Sequence, residues 1–184
     1  MTNDFDIMDE IYEAEEESSI IKYLTFLLEE EEYGLDIKYV NDIIQFQKIT
    51  KMPDQPEYII GVINLRGNII PTMDIRKRFN KKQIEYNDRT CIIVVEMHEE
   101  QVGLIVDTVS EVLAIENEDI SEAPRFNNDF HNKYISGITK NKEKDDQIVI
   151  LLDCQKLLKE EQINEIKENE NLGFEGGETN DERE

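Results

Sequence analysis

The chain has 184 residues, which is enough for one ordinary domain or two very small ones. Its net charge is −23, and most of the excess lies in two acidic end segments, residues 1–19 and 159–184. A negative field of this size repels phosphate backbones and anionic membranes, so it argues against nucleic-acid binding and favours a protein partner. Two cysteines, Cys91 and Cys154, are too few for a disulfide framework or a tetrahedral metal site, and are typical of a reducing cytoplasm.

The acidic end segments lack the apolar residues that a segment needs to fold alone. Residues 1–19 are expected to form a disordered tail, although apolar residues at helical spacing in 5–12 leave open one or two helical turns against a partner. The first residues do not have the pattern of a signal peptide, and the sequence has no apolar run long enough to span a bilayer. Residues 159–184 are expected to extend a C-terminal helix and then to form an acidic disordered tail.

The middle of the chain, residues 20–158, is expected to be a folded unit of short β-strands joined by hairpins. β-Branched and apolar runs predict strands at 20–28, 33–37, 62–65, 68–73, 90–95, 102–106 and 147–152. Pro71 lies inside one of these runs and favours an edge strand or a β-bulge there. Helical spacing occurs only near residues 75–79 and after Asp153. Many short strands with few helices favour β-barrels over a parallel sheet.

Two sequence patterns occur twice, which indicates an internal repeat. Residues 34–43 and 103–112 each begin with a glycine after a glutamate-rich hairpin tip and end with an aliphatic residue. Farther along, residues 58–61 recur as residues 134–137. The repeat predicts two small β-modules of one design packed together, module one at about 20–85 and module two at about 86–153. This prediction allows the first and last strands of the folded part to belong to the other module.

Three blocks of the middle resemble the CheW family. Residues 58–79 read YIIGVINLRGNIIPTMDIRKRF, and residues 102–113 read VGLIVDTVSEVL. The third block, residues 148–153, reads IVILLD and is followed by Leu157 and Leu158. The blocks occur in family order and with family-like spacing. Together they cover essentially the whole of the expected folded part.

The resemblance implies a mainly β fold of two small five-stranded SH3-like β-barrels packed side by side, with a few short helices and a C-terminal helix. It also implies a non-enzymatic cytoplasmic adaptor without cofactors. Such an adaptor couples the cytoplasmic tips of methyl-accepting chemoreceptors to the regulatory domain of the histidine kinase CheA at membrane-associated arrays. Direct membrane insertion is not expected. The alternative is a stand-alone peptide-binding β-barrel module outside chemotaxis, because a fold does not fix a function.

Arg66 is the first candidate functional residue. Gly67 can adopt the positive φ of a tight turn, so Arg66 is expected at a rigid hairpin tip, where its planar fork can bind carboxylates or carbonyls of a partner helix. From the residue alone, a solvated arginine is the competing interpretation; the resemblance implies receptor contact. Asn64 and Leu65 are expected to fix the turn and fill the core, and Gly61 is expected to be required for backbone geometry.

By the same resemblance, Val40 and Asp42 match receptor-binding positions on a strand that exposes one face. Asp42 stands where glutamate is common in the family, so the charge is kept but the reach is one methylene shorter. Val109 and Val112 occupy the corresponding places in the second module, where burial in the core is an equally good interpretation. A groove between the modules, lined by aliphatic residues and edged by Arg66, would suit an amphipathic receptor helix. Kinase contacts are expected at barrel ends in both modules, with no single residue assigned.

Catalysis is not expected, because a nucleophile needs an oriented base beside it. Cys91 lies in an aliphatic run, where a buried inert thiol is the simpler interpretation. His98 is expected at a hairpin tip and His131 in a polar stretch, which is typical of surface histidines. The sequence contains no phosphate-binding glycine loop, metal-binding histidine pair or nucleophile elbow.

Overall fold

The structure is a computed structural model that describes residues 20–124 and 133–158. The predicted tail at 1–19, the predicted extension at 159–184 and His131 lie outside the described residues. The described part is mainly β, which confirms the expected fold class.

The described residues form ten strands, two short α-helices and two 3-10 turns. The strands are β1 (Ile20–Leu28), β2 (Glu31–Asp36), β3 (Val40–Gln45), β4 (Ile59–Leu65), β5 (Asn68–Asp74), β6 (Cys91–Met97), β7 (Glu100–Val106), β8 (Thr108–Glu116), β9 (Ile135–Asn141) and β10 (Gln147–Leu152). The helices are α1 (Ile75–Arg78) and α2 (Cys154–Leu157), and the 3-10 turns are Ile37–Tyr39 and Asn117–Asp119.

The strands form two five-stranded sheets packed side by side. Sheet 1 has the order β8-β1-β2-β10-β9, and sheet 2 has the order β3-β6-β7-β5-β4. Each sheet contains one parallel pair, β2 with β10 in sheet 1 and β5 with β7 in sheet 2. The two orders match when β1–β5 and β6–β10 are taken as two copies of one unit. In each copy the first hairpin pairs with the last three strands of the other copy.

Sheet membership therefore differs from the predicted division near residue 85. Sheet 2 is contiguous in sequence from β3 to β7, whereas sheet 1 combines β1 and β2 with β8, β9 and β10. The repeat indicates two equivalent units, but it does not show that their first hairpins are exchanged. Exchanged and unexchanged pairings bury the same residues, so both produce the same pattern of apolar positions.

Both sheets contribute to one main core, and each sheet also encloses a smaller one. The main core takes Phe26 and Leu35 from sheet 1 and Ile93 and Leu104 from sheet 2, all of them fully buried. The smaller core of sheet 2 includes Ile63, Ile70, Ile92, Val94 and Ile105. The smaller core of sheet 1 includes Tyr23, Ile115, Val149 and Leu151. Each sheet is therefore buried on both faces over much of its area.

Each sheet curls, so that the chain leaving one edge strand reaches the opposite edge strand. Thr50, which follows β3, forms an isolated bridge with Val62 on β4, and Ser121, which follows β8, forms one with Ile138 on β9. At the first bridge the backbone of Gly61 has a φ of 151°. A Cβ atom at Gly61 would overlap the carbonyl oxygen of Thr50, so the close approach of the two backbones requires glycine.

Of the two alternatives predicted from Pro71, the edge strand is wrong, because β5 is an interior strand between β7 and β4. The β-bulge alternative agrees with a register shift in the β4–β5 ladder opposite Thr72 and Met73, directly after Pro71. Proline lacks the N–H that a ladder needs, but the parallel pairing with β7 begins one residue later, at Thr72. On the other side Pro71 lies opposite Val62, whose N–H and carbonyl bond to Thr50 instead. The predicted strand runs also omit the edge strands β3, β8 and β9. In β3 and β8 exposed and half-buried residues alternate over most of the length, and the buried residues of β9 are Gly137, Thr139 and Asn141, none of them a large apolar residue.

Candidate protein-binding surface

The hairpin between β4 and β5 closes with a two-residue turn made of Arg66 and Gly67. Leu65 pairs with Asn68 across the turn, and φ is 53° at Arg66 and 91° at Gly67. Positive φ at both central residues is typical of a type I′ turn, whose twist matches that of the joined strands. The N–H of Gly67 donates to Oδ1 of Asn64 at 2.9 Å, so the Asn64 side chain holds the turn closed. Arg66 therefore stands on a rigid tip.

The guanidinium of Arg66 forms an ion pair with Asp42 of β3, with Nη2 and Oδ2 3.2 Å apart. The side chain of Arg66 keeps 80% of its surface exposed, and that of Asp42 keeps 25%. The pair connects the two edges of sheet 2, because Arg66 follows β4. An exposed ion pair contributes little to stability. The ion pair orients the planar guanidinium group of Arg66. The contact with one carboxylate uses only part of the five N–H donors of that group.

Strand β3 carries the predicted residue Val40 and a second, more exposed aliphatic residue, Ile43. Val40 is half-buried and packs against the main core, whereas 43% of Ile43 is exposed. A register shift in the β3–β6 ladder lies between Val40 and Asp42. Ile43 is therefore the more exposed aliphatic residue of β3, beside the half-buried Val40.

On β8 the two predicted valines, Val109 and Val112, also differ in how far they are buried. Val109 packs against the main core, whereas 49% of Val112 is exposed. A register shift between the two is held by Thr25 of β1, whose hydroxyl donates to the carbonyl oxygen of Glu111 at 3.1 Å and accepts from its N–H at 3.2 Å. Val109 is therefore the more buried of the two valines, and Val112 is the more exposed.

The repeat duplicates the carboxylate–cation pair of the Arg66 turn. Glu111 on β8 corresponds to Asp42, and its Oε1 lies 2.6 Å from Nζ of Lys144, in the β9–β10 hairpin. Nζ of Lys144 also lies 3.1 Å from Oε1 of Glu32, whose side chain is fully buried. The second pair is therefore tied into the fold. Arg66, by contrast, presents its guanidinium to solvent.

The structure thus joins Arg66 to Asp42 directly and places Val40 and Val109 on one core. Ile43 was not predicted as a site residue, yet the sequence contained a signal for it. Residues 34–43 and 103–112 align Ile43 with Val112, and both residues are exposed to a similar extent. Leu65, predicted to fill the core, is half-buried against the smaller core of sheet 2.

A buried arginine and a partly buried aspartate form an ion pair where the chain passes between the two sheets. Arg76 of α1 is 5% exposed and binds Asp107, which follows β7, through Nε–Oδ1 at 2.6 Å and Nη2–Oδ2 at 2.5 Å. Its Nη1 lies 3.2 Å from Oε1 of Glu29 and 2.6 Å from the carbonyl oxygen of Lys82. The N–H of Glu29, in the β1–β2 hairpin, donates to Asp107 at 2.8 Å. Hydrogen bonding to Asp107 raises the pKa of Arg76, so the guanidinium remains charged.

Side chains with catalytic potential have ordinary structural surroundings. Burial raises the pKa of the Cys154 thiol to about 12, so the thiol stays protonated at neutral pH. Cys91 is half-buried and its thiol lies 3.3 Å from the carbonyl oxygen of Arg89. His98 lies in the turn between β6 and β7 with a φ of 50°. Within residues 20–124 and 133–158, no group of three or more His, Cys, Asp or Glu side chains could hold a metal ion.

No helix in the described part of the chain is long and apolar enough to cross a membrane.

Comparison with known proteins gives one consistent result. The family model described as CheW-like domain matches residues 22–162. The chain is 37% identical over 142 residues to the chemotaxis protein CheW of Klebsiella aerogenes, covering 77% of this chain and 84% of that relative. It is 31% identical over 144 residues to the chemotaxis protein CheW of Thermotoga maritima, covering 77% of this chain and 90% of that relative. The crystal structure of the scaffolding protein TtCheW from Thermoanaerobacter tengcongensis superposes with a TM-score of 0.68 at 38% identity, covering 76% and 92% of the two chains.

Fold, surface and matches together define a scaffold protein of chemotaxis, built from two curled β-sheets. The chain belongs to the CheW-like family. The family is one of scaffold proteins, which act through contacts with other proteins.

Proposed function

We propose that this protein couples methyl-accepting chemoreceptors to the histidine kinase CheA, as a cytoplasmic adaptor at membrane-associated receptor arrays. The observation that carries the proposal is the Arg66–Asp42 pair. It places a guanidinium, on a side chain that is 80% exposed, at the tip of a type I′ turn and beside a carboxylate. A charged and accessible side chain on an ordered backbone turn suits an interface anchor, because the turn itself loses little conformational entropy when a partner binds.

The receptor tip is proposed to bind as a helix beside this anchor. The exposed aliphatic residues Ile43 and Val112 would contact the apolar stripe of that helix, and Arg66 would bind its carboxylates or carbonyls. In this proposal Asp42 orients the guanidinium group of Arg66 before the receptor helix binds. Val40 and Val109 support this surface from the main core.

The kinase is proposed to bind at the strand ends of both sheets. Ile69 of β5 and Ile148 of β10 hold equivalent positions in the two copies, and they are 59% and 57% exposed. Their exposure at equivalent positions of the two copies makes them candidates for contact with a partner. A partner that is itself built from two like units could use both.

Titration of the full-length protein with a receptor cytoplasmic fragment and, separately, with CheA tests the proposal. We expect Arg66→Ala to weaken receptor binding by about 2 kcal/mol, which is about 30-fold, and to leave kinase binding unchanged. Ile148→Glu is expected to weaken kinase binding and to leave receptor binding unchanged. Arg89→Ala, at another exposed arginine in a turn, is the matched control and should alter neither.

Three results would count against the proposal. A loss below about 0.5 kcal/mol for Arg66→Ala would place Arg66 among ordinary surface residues. Equal losses for Arg66→Ala and Arg89→Ala would mean that only net charge matters. Binding to neither the receptor fragment nor CheA would favour the alternative, a peptide-binding β module outside chemotaxis.

A further inference from the structure

The hairpin between β9 and β10 is fastened to two other strands of sheet 1 by the side chain of Lys144. Its Nζ lies 2.6 Å from Oε1 of Glu111, 2.9 Å from Oγ of Ser110 and 3.1 Å from Oε1 of Glu32. An ammonium group has three N–H donors, so these three acceptors use all of them. Ser110 and Glu111 belong to β8 and Glu32 belongs to β2, so one side chain joins the hairpin to both strands.

Glu32 has an unsatisfied carboxylate oxygen at this point. The side chain of Glu32 is fully buried, and its Oε1 accepts from Lys144. Its Oε2 is also buried and has no hydrogen-bond partner among the described residues. A buried acceptor without a donor is unfavourable, and more so on a charged group. Oε2 is therefore a second acceptor for any N–H donor of Lys144 that loses its present partner.

Lys144 lies between the residues that we propose to contact the two partners. Ser110 and Val112 are both exposed and are two residues apart on β8, where Val112 is proposed to contact the receptor helix. On the other side, the carbonyl oxygen of Lys144 accepts from the N–H of Gln147 at 3.0 Å. Gln147 begins β10 directly before Ile148, which is proposed to contact the kinase. The side chain and the backbone of Lys144 therefore connect the two surfaces.

We propose that Lys144 is a positioning residue that couples receptor binding to kinase binding, an inference that rests on the proposed function. A receptor helix that covers Val112 competes for the hydroxyl of Ser110 and releases one N–H donor of Lys144. Oε2 of Glu32 accepts the released donor, and the turn that begins β10 shifts with it. The ammonium thus has two arrangements, and both partners favour the same one. A two-state element biased by both ligands is what energetic coupling between two sites requires.

The test measures whether each partner strengthens the binding of the other. The full-length protein is titrated with a receptor cytoplasmic fragment, alone and with saturating CheA, and the ratio of the two Kd values is the coupling factor. We expect a factor of about fivefold or more for the unchanged protein, and a factor within about twofold of one for Lys144→Gln. Lys142→Gln is the matched control and should keep the full factor, because Lys142 is an exposed lysine of the same hairpin that pairs with Asp119.

Glu32→Gln is the second variant, because it keeps the size of the side chain and removes one of its two acceptor oxygens. It should lower the coupling factor while the receptor fragment and CheA each still bind alone. A merely structural role of Lys144 would lower Tm and both single affinities in Lys144→Gln and leave the factor unchanged. That result would overturn the inference, as would equal factors for Lys144→Gln and Lys142→Gln.

Failure of this inference can be distinguished from failure of the proposed function. If the unchanged protein binds both partners with a coupling factor near one, the inference is overturned and the proposed function stands. If it binds neither partner alone, both are overturned. A full factor in the unchanged protein and in Lys142→Gln, with loss in Lys144→Gln and Glu32→Gln, supports the inference.

Discussion

Replacing Asp107 by alanine tests how the two sheets are held together. The side chain of Arg76 is 6% exposed, and Asp107 neutralises its charge through two hydrogen bonds. The carboxylate of Asp107 also accepts from the N–H of Glu29. The substitution therefore removes three charge-assisted hydrogen bonds and leaves a guanidinium enclosed between the sheets.

The size of the stability loss depends on the hydrogen-bond partners that Arg76 retains after the substitution. Removing one partner of a buried ion pair costs about 3–5 kcal/mol, because the other charge remains buried and unpaired. In Asp107→Ala the guanidinium retains Glu29 and the carbonyl oxygen of Lys82. The expected loss is therefore at the low end, about 3 kcal/mol, which for a chain of this length lowers Tm by about 6–12 °C.

Urea unfolding of the full-length protein, followed by circular dichroism, measures this loss. Asp119→Ala is the matched control, because Asp119 pairs with the exposed Lys142 at 2.7 Å and should cost less than about 0.5 kcal/mol. The double substitution Arg76→Met with Asp107→Leu should be less damaging than Asp107→Ala, since it removes both charges. A loss below about 1 kcal/mol for Asp107→Ala, or equal losses for Asp107→Ala and Asp119→Ala, would refute the reasoning.

Two further predictions concern the turn and a thiol. Gly67→Val forces a β-branched residue into a φ of 91° and should lower the free energy of unfolding in urea by about 1–3 kcal/mol. Gly67→Asn should lower it less, and equal losses for the two variants would argue against the type I′ turn. Cys154 should resist alkylation at pH 8 in the native state, because burial raises its pKa to about 12, and should react on unfolding. The same shift predicts that folding becomes less favourable as pH rises from the ordinary thiol value towards 12. Rapid native labelling of Cys154 in a Cys91→Ala background would contradict its burial.

The fold class and the repeat could be predicted because they depend on local signals. Gly34 and Gly103 begin matching segments, and each lies on the second strand of a hairpin whose first strand is rich in β-branched residues. The exchange of hairpins depends instead on which long-range pairing is adopted. Val149 of β10 pairs with Glu32 of β2 across most of the chain, and no local pattern encodes such a partner.

The candidate surface shows the same limit. The tip at Arg66 follows from an arginine–glycine pair between two strand-like runs, which is a specific turn signal. Its ion pair with Asp42 depends on how sheet 2 curls, and this is a property of the folded chain. The Arg76–Asp107 pair was missed for a related reason. Neither residue stands out by spacing, and burial is what makes the pair important.

The reciprocal exchange of hairpins ties the two copies of the described part into one frame. Separating the two copies, β1–β5 from β6–β10, would require breaking the ladders of β1 and β2 with β8 and β10, and those of β6 and β7 with β3 and β5. The chain passes from one sheet to the other through Ile37–Tyr39 and through Asp107, and both sheets pack on the main core, so short connections and a shared core restrict hinge motion between the sheets. Molecules held at different points of such a frame keep a constant mutual angle and distance, which is the mechanical requirement for building an ordered lattice.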